Sequence, residues 1–152
     1  MEKVYIEDYE VGERWVSPGR TLTEADIINY AGLTGDWHQI HTNVEYAKKS
    51  PFGERIAHGF LSLCIGSSLL FRLGEYVVLP KTFIAFYGMD GLRFVAPAKI
   101  GDTLHCECEV VSVHMKDEKK GLLVWHNVIK NQRGEDVVVY TTKALAGRRP
   151  RS

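Results

Sequence analysis

The 152-residue sequence predicts an α+β fold in which an antiparallel β-sheet wraps around a long central buried α-helix, and three observations carry that prediction. The segment GFLSLCIGSSLLF, from Gly59 to Phe71, runs thirteen residues without a charge and is apolar on almost every side, as a helix covered all round would be. Beyond it LHCECEVVSV, GLLVWHNVIKN and DVVVYTTKALAG read as three long strands, the first alternating Leu104, Cys106, Cys108 and Val110 against His105, Glu107 and Glu109. The links between them are short, which makes neighbours antiparallel. A helix apolar on every face is then covered by curving the sheet around it.

Taken in order, TLTEADIINYAGLTG opens the helical part of the chain. Thr23 is placed to cap it, Asp26 occupies the capping-box slot three residues on, and Ile27, Ile28, Tyr30, Ala31 and Leu33 form its apolar side. Gly35 stops it after about ten residues. A second, short helix follows in NVEYAKKSP, capped by Asn43 and closed off by Pro51. The central helix spans about His58 to Arg72, and Ser62, Gly66, Ser67 and Ser68 would let sheet backbone approach one side of it. The same serines also suit plain packing, with hydroxyls bonded back to the helix. After Pro80 the period changes: TFIAFYG reads as a strand, with TFIAFYGMDGL a candidate for part of a pocket wall, and NQRGE is a turn between the last two strands.

No repeat or low-complexity linker divides the chain, so residues 1–147 are expected to form one domain. Arg148, Arg149 and Arg151 then read as a solvated, frayed basic tail over 148–152. Nineteen Lys and Arg balance nineteen Asp and Glu, which leaves no global field to hold a nucleic acid. The apolar run is too short for a membrane span of about 20 residues. Cys106 and Cys108, two apart on one strand, sit poorly for a disulfide, and the start of the chain carries no signal-peptide pattern, so free thiols in the cytoplasm are expected. A wrapped sheet leaves its far face and edge partly apolar, which predicts a homodimer or a higher homo-oligomer.

The chemistry concentrates in GDWHQIHTNVEYAKKSPFGERIAHG, which holds Asp36 and three of the six histidines, His38, His41 and His58. Asp36 and His41 are five residues apart. That is about 140° around a continuous helix and opposite faces of a strand, so only a loop brings them together. An ionised Asp beside a neutral His can activate one water. Gly59, at the start of the buried helix, offers a backbone N–H at the positive end of the helix dipole, suited to a developing oxyanion. Two blander readings compete: a metal site built from Asp36, His38, His41 and His58, which no Cys pair or acidic helix motif completes, and a solvated loop whose histidines merely cap helices. No Gly-x-Ser-x-Gly elbow supports a serine nucleophile.

Three pieces, GDWHQIH with the short helix after it, ERIAHGFLSLCIGSSLL, and LRFVAPAKIGDTLHCECEV, resemble the MaoC-like dehydratases, the (R)-specific enoyl-CoA hydratase group of the hotdog-fold superfamily. With TLTEADIINYAGLTG they cover most of residues 21 to 113. The resemblance implies that Asp36 and His41 are the catalytic pair and that Gly59 supplies the oxyanion N–H. It further implies that Ser67 bonds near the pair and that His58 shapes the turn into the helix. The implied reaction is reversible hydration of a trans-2-enoyl thioester. It needs no metal and no cofactor, coenzyme A entering as part of an acyl-CoA substrate whose phosphates Arg93, Lys99 and Arg55 could meet. His38 and Gln39 depart from the commoner Asn-Pro, which bears on substrate preference more than on catalysis. A hotdog acyl-CoA thioesterase and a non-catalytic acyl-CoA-binding protein are the alternatives.

Overall fold

A computed structural model describes residues 1–152. Thr23 caps the first helix, α1 (Glu24–Thr34): its hydroxyl accepts the Asp26 N–H at 3.3 Å while the Asp26 carboxylate accepts the Thr23 N–H at 2.9 Å. Gly35 ends the helix at φ 81°, a left-handed conformation that costs glycine nothing. Of its apolar side only Ile27 and Ala31 are buried, with Tyr30 half-buried. Ile28 and Leu33, expected on that side, face solvent, because α1 lies over the core on one narrow stripe.

Two helices follow where one was expected. A single turn, α2 (Gln39–Thr42), precedes α3 (Val44–Lys48), whose N-cap is Asn43 through a 3.0 Å bond from the Tyr46 N–H. The central helix α4 (Gly59–Leu69) continues as a 3-10 turn through Leu73.

Four long strands carry the fold: β3 (Phe83–Phe94), β4 (Thr103–Met115), β5 (Lys120–Lys130) and β6 (Asp136–Gly147), antiparallel in the spatial order β4-β5-β6-β3. Two short strands, β1 (Arg14–Val16) and β2 (Arg20–Thr21), pair with the outer edge of β4. At three and two residues they carry no periodicity for a sequence reading to detect. The alternation in β4 holds: Leu104, Cys106, Cys108 and Val110 are buried while His105, Glu107 and Glu109 lie half in solvent. Burial pushes the Cys106 and Cys108 thiols up to about 12, so both stay protonated and inert. β3 is longer than TFIAFYG and is broken by three register shifts.

The core lies between the sheet and α4, which packs on β4, β5 and β6. Gly66 makes that approach possible, since a side chain there would run into Ile129. The helix is nevertheless not covered all round. Phe60, Cys64, Ser68 and Phe71 form an exposed stripe, with Phe60 57% accessible. A sheet wraps one side of a helix, and the opposite side needs cover from elsewhere. Phe71 lies 6.5 Å from Phe86 of β3, whose Ile84, Phe86 and Tyr87 are also exposed, so stripe and edge strand form one apolar face.

The basic terminus is not frayed. Arg148 donates to Glu7 at 3.2 Å, Arg149 pairs with Asp8 at 2.5 Å, and Arg151 pairs with Glu118 at 3.3 Å. The N-terminal 3-10 turn Ile6–Asp8 presents carboxylates to a tail that charge counting alone leaves in water.

Candidate active site

Gly35 turns the chain out of α1, and Asp36 follows on the surface with its carboxylate accepting the His38 N–H at 3.2 Å. His38 then caps α2, its Nδ1 accepting the Ile40 N–H at 3.0 Å. An imidazole thus fills the capping place. The connection from Asp36 to His41 is therefore part loop and part helical turn, tighter than the open loop the spacing suggested.

His41, half-buried on α2, donates from Nδ1 to the Ile56 carbonyl at 2.8 Å. A carbonyl only accepts, so the ring proton sits on Nδ1 and Nε2 keeps its lone pair. His58, 2% accessible, meets the Asp36 carbonyl through Nε2 at 2.9 Å, which places its proton on Nε2 by the same logic. The two rings stack at 3.8 Å with 27° between planes, and Tyr30 lies 4.5 Å beyond His58. Asp36, His41 and His58 each bring one nitrogen or oxygen within 4.8 Å of the others.

Three ligand atoms so placed meet the minimum of a metal site. His58, however, commits its Nε2–H to the Asp36 carbonyl, so that nitrogen has no lone pair to offer an ion. Burial holds His41 below the ordinary histidine value of 6.5, the nearby His58 and His38 add to this, and the Ile56 carbonyl and Asp36 oppose it. The imidazole is thus neutral and able to accept a proton near pH 7.

The pH dependence follows with a definite sign. As pH falls, the unfolded chain takes up this proton before the folded one, so stability held by the neutral ring is full above pH 6.5 and is lost as pH drops toward the folded value. Activity that requires neutral His41 should have its acid limb below 6.5 in a profile of kcat/KM. A limb above 6.5 would show that some other group controls it.

Gly59 is the first residue of α4. Its N-cap, His58, makes no side-chain cap bond, so the leading N–H groups are not satisfied by a cap. A Cβ on Gly59 would sit 2.9 Å from the ring of Phe94 and would push that half-exposed side chain aside. A cavity of about 360 Å3 opens beside it, lined among others by Phe52, Ile56, Phe60, Ser62, Phe94 and Pro97. Ser62 and Phe94 were not singled out for this place. Ser62 lies three residues after Gly59, hence on the same helix face, while Phe94 comes from the far end of β3 and leaves no local signal.

The other assigned residues separate. Arg55 is not free for a phosphate: its Nε donates to the His41 carbonyl at 2.6 Å and its fork grips Glu24 at 2.8 and 3.0 Å, with the side chain 12% exposed. It ties α2 to α1. Lys99 is paired with Glu54 at 2.8 Å. Arg93, exposed on β3, keeps an unpaired guanidinium. Ser67 is not at the pair: its hydroxyl donates to the Cys64 carbonyl at 3.3 Å, about 12 Å along α4 from Gly59. It borders a second cavity of about 170 Å3 with Phe86, Trp125, Tyr140 and Thr142.

The family described as MaoC like domain matches residues 9–132. The chain belongs to the MaoC-like dehydratase family. Protein MaoC of Klebsiella aerogenes is 36% identical over 126 residues, which make up 80% of this chain and 36% of that protein. The (R)-specific enoyl-CoA hydratase of Rhodospirillum rubrum is 39% identical over 100 residues, 66% of this chain and 65% of that one. The monoamine oxidase regulatory protein of Archaeoglobus superimposes with a TM-score of 0.91 at 40% identity, over 97% of each chain. The matched part is thus about a third of the first relative's length and under two-thirds of the second's. The antiparallel sheet with its central helix is the hotdog fold. No helix of this MaoC-like chain is long and apolar enough to cross a membrane.

Proposed function

We propose that this MaoC-like chain is a hydro-lyase, an (R)-specific enoyl-CoA hydratase that also runs in reverse as a 3-hydroxyacyl-CoA dehydratase. The observation that carries the reading is the meeting of the Asp36 carboxylate and the neutral His41 ring in one small cluster with His58, whose next residue, Gly59, opens the uncapped N-terminus of α4. Support comes from the names of two relatives, the (R)-specific enoyl-CoA hydratase of Rhodospirillum rubrum and the 3-hydroxybutyryl-CoA dehydratase of Methylorubrum extorquens.

In the hydration direction Asp36 and the Nε2 lone pair of His41 hold one water. Asp36 takes a proton from it as the oxygen bonds to C3 of the enoyl thioester, and the C2–C3 π electrons move toward the carbonyl. The resulting enolate oxygen is met by the Gly59 N–H and the positive end of α4. The carboxylic acid so formed then returns its proton to C2 on the same face, closing the cycle and giving the (R)-3-hydroxyacyl thioester. These steps call on no group beyond the substrate and the side chains. Coenzyme A enters as the thioester carrier, and of Arg93, Lys99 and Arg55 it is Arg93 that has no carboxylate partner and is available to its phosphates.

The test mixes purified protein with crotonyl-CoA and follows enoyl ultraviolet absorbance beside a thiol reagent. Absorbance loss without free thiol supports hydration. Thiol release moves the protein to the thioesterases, and silence in both channels over a series of enoyl-CoA chain lengths overturns the reading.

The apolar face joining Phe60, Phe71, Ile84 and Phe86 fits a homodimer. Light scattering at micromolar concentration is expected to give twice the 17.2 kDa chain mass or a multiple of it. Phe86→Asp should shift the mass toward that of one chain.

A further inference from the structure

His58 is buried to 2% and yet leaves one of its two ring nitrogens, Nδ1, without any hydrogen-bond partner. An orphaned buried polar atom is unfavourable, and a leucine or phenylalanine would fill the same volume without it. The imidazole must therefore be kept for what its other atoms do. Nε2–H reaches the carbonyl of Asp36 across twenty-two residues of chain, and one ring face covers His41 at 3.8 Å. Tyr30 backs the ring from α1 at 4.5 Å, so it is fixed between two neighbours. It also sits at the N-cap of α4 without capping it, which a residue serving only to start the helix would do.

The contacts differ in kind. Asp36 is exposed, and its segment is held locally by the bonds at the Asp36 and His38 N–H groups, by the Trp37 N–H on the Gly35 carbonyl and by the Thr42 hydroxyl on the Trp37 carbonyl. All of these are bonds between near neighbours in sequence, and the His58 bond is the one that ties the Asp36 backbone to α4, where Gly59 lies. His41, by contrast, is already held from two sides, by the Ile56 carbonyl through Nδ1 and by Arg55 on its own carbonyl.

We infer that His58 is a positioning residue for the Asp36–His41 pair, its Nε2–H anchoring the Asp36 backbone to the start of α4 so that carboxylate, imidazole and the Gly59 N–H keep a fixed mutual geometry. This goes beyond shaping the turn into the helix, and it rests on the hydratase reading. With Nε2 turned to the Asp36 carbonyl, Nδ1 is the ring nitrogen left without a partner.

Glutamine and asparagine separate the two nitrogens, because a glutamine amide reaches about as far as Nε2 and an asparagine amide only as far as Nδ1. His58→Asn is expected to lower kcat about a hundredfold, the scale of a misplacement of about 1 Å in a reacting group. KM should stay within about threefold, since an interaction made in the transition state is lost rather than substrate binding. His58→Gln, which keeps a donor for Asp36, should restore most of that loss at the same unfolding temperature as His58→Asn. His58→Phe, which keeps the stack and drops the donor, should fall with His58→Asn, and it serves in its place where the asparagine variant does not fold. Equal loss in the glutamine and asparagine variants, or wild-type kcat in His58→Asn, overturns the inference.

A second arm does not depend on activity. Ring nitrogen-15 NMR of the wild-type protein should show His58 as the Nε2–H tautomer and His41 as Nδ1–H. His58 in the Nδ1–H form would remove the anchor outright. If wild-type protein fails to hydrate any enoyl-CoA, the hydratase reading falls, while the tautomer result still decides whether His58 holds Asp36.

Discussion

Asp36→Asn is expected to lower hydration of crotonyl-CoA by about 10^3-fold, within the range of about 10^2 to 10^4 that a positioned general base contributes. The side chain keeps its size and still accepts the His38 N–H through its amide oxygen, so the loop conformation should persist. What disappears is the charge that draws the proton from water and the acid that returns it to C2. Asp36 is exposed and forms no ion pair, so the unfolding temperature should stay within about 1 °C of wild type, as for surface changes away from packed groups. A parallel fall in activity and unfolding temperature would show that the carboxylate serves the fold. Retention of activity would remove Asp36 from the chemistry and leave His41 to act alone.

The largest expected effect on stability comes from Gly66→Val. A Cβ at this position would lie 2.6 Å from Ile129 Cγ1 and 2.8 Å from Cγ2, and closer still to Cδ1. Ile129 is fully buried on β5, with strand neighbours on both sides, so it has no free direction in which to yield. Overpacking of this kind costs about 1–3 kcal/mol, and for a chain of this length that lowers the unfolding temperature by roughly 2–12 °C. The double variant with Ile129→Ala should recover part of the loss, since the smaller side chain clears the space the valine needs. Absence of any recovery would mean that the strain is carried by the backbone of α4 rather than by this contact.

The site shows how a short motif can be legible in sequence and still leave most of its partners unseen. Asp36, His41 and Gly59 stand out in the sequence because a glycine stop, a five-residue spacing and a charge-free helix are all local. Arg55 lies in the same stretch and looks like one more cation for an acyl-CoA phosphate. In the folded chain Glu24, thirty-one residues earlier, takes its guanidinium in a two-pronged ion pair. Ser67 is similar: its type and place on the helix suggest a polar contact, and the Cys64 carbonyl one turn back supplies it. A long side chain bonds whichever partner the fold brings near, and that choice is made by contacts distant in sequence.

What the sequence by itself determined is everything governed by near neighbours. The reciprocal Thr23–Asp26 cap, the left-handed stop at Gly35, the period-2 faces of β4 and the charge-free length of α4 follow from residues within a few positions of one another. The tertiary structure alone decided the rest. It stacked His58 on His41, spent Arg55 on Glu24, tied Arg148 and Arg149 to the N-terminal turn, added β1 and β2 to the edge of β4, and left one stripe of α4 in the open. The physical reason is the same in each case. Backbone preference and side-chain period act within one or two turns of chain, whereas the partner of a charge, a ring or an apolar face depends on which distant segments the wrapped sheet places within a few ångströms.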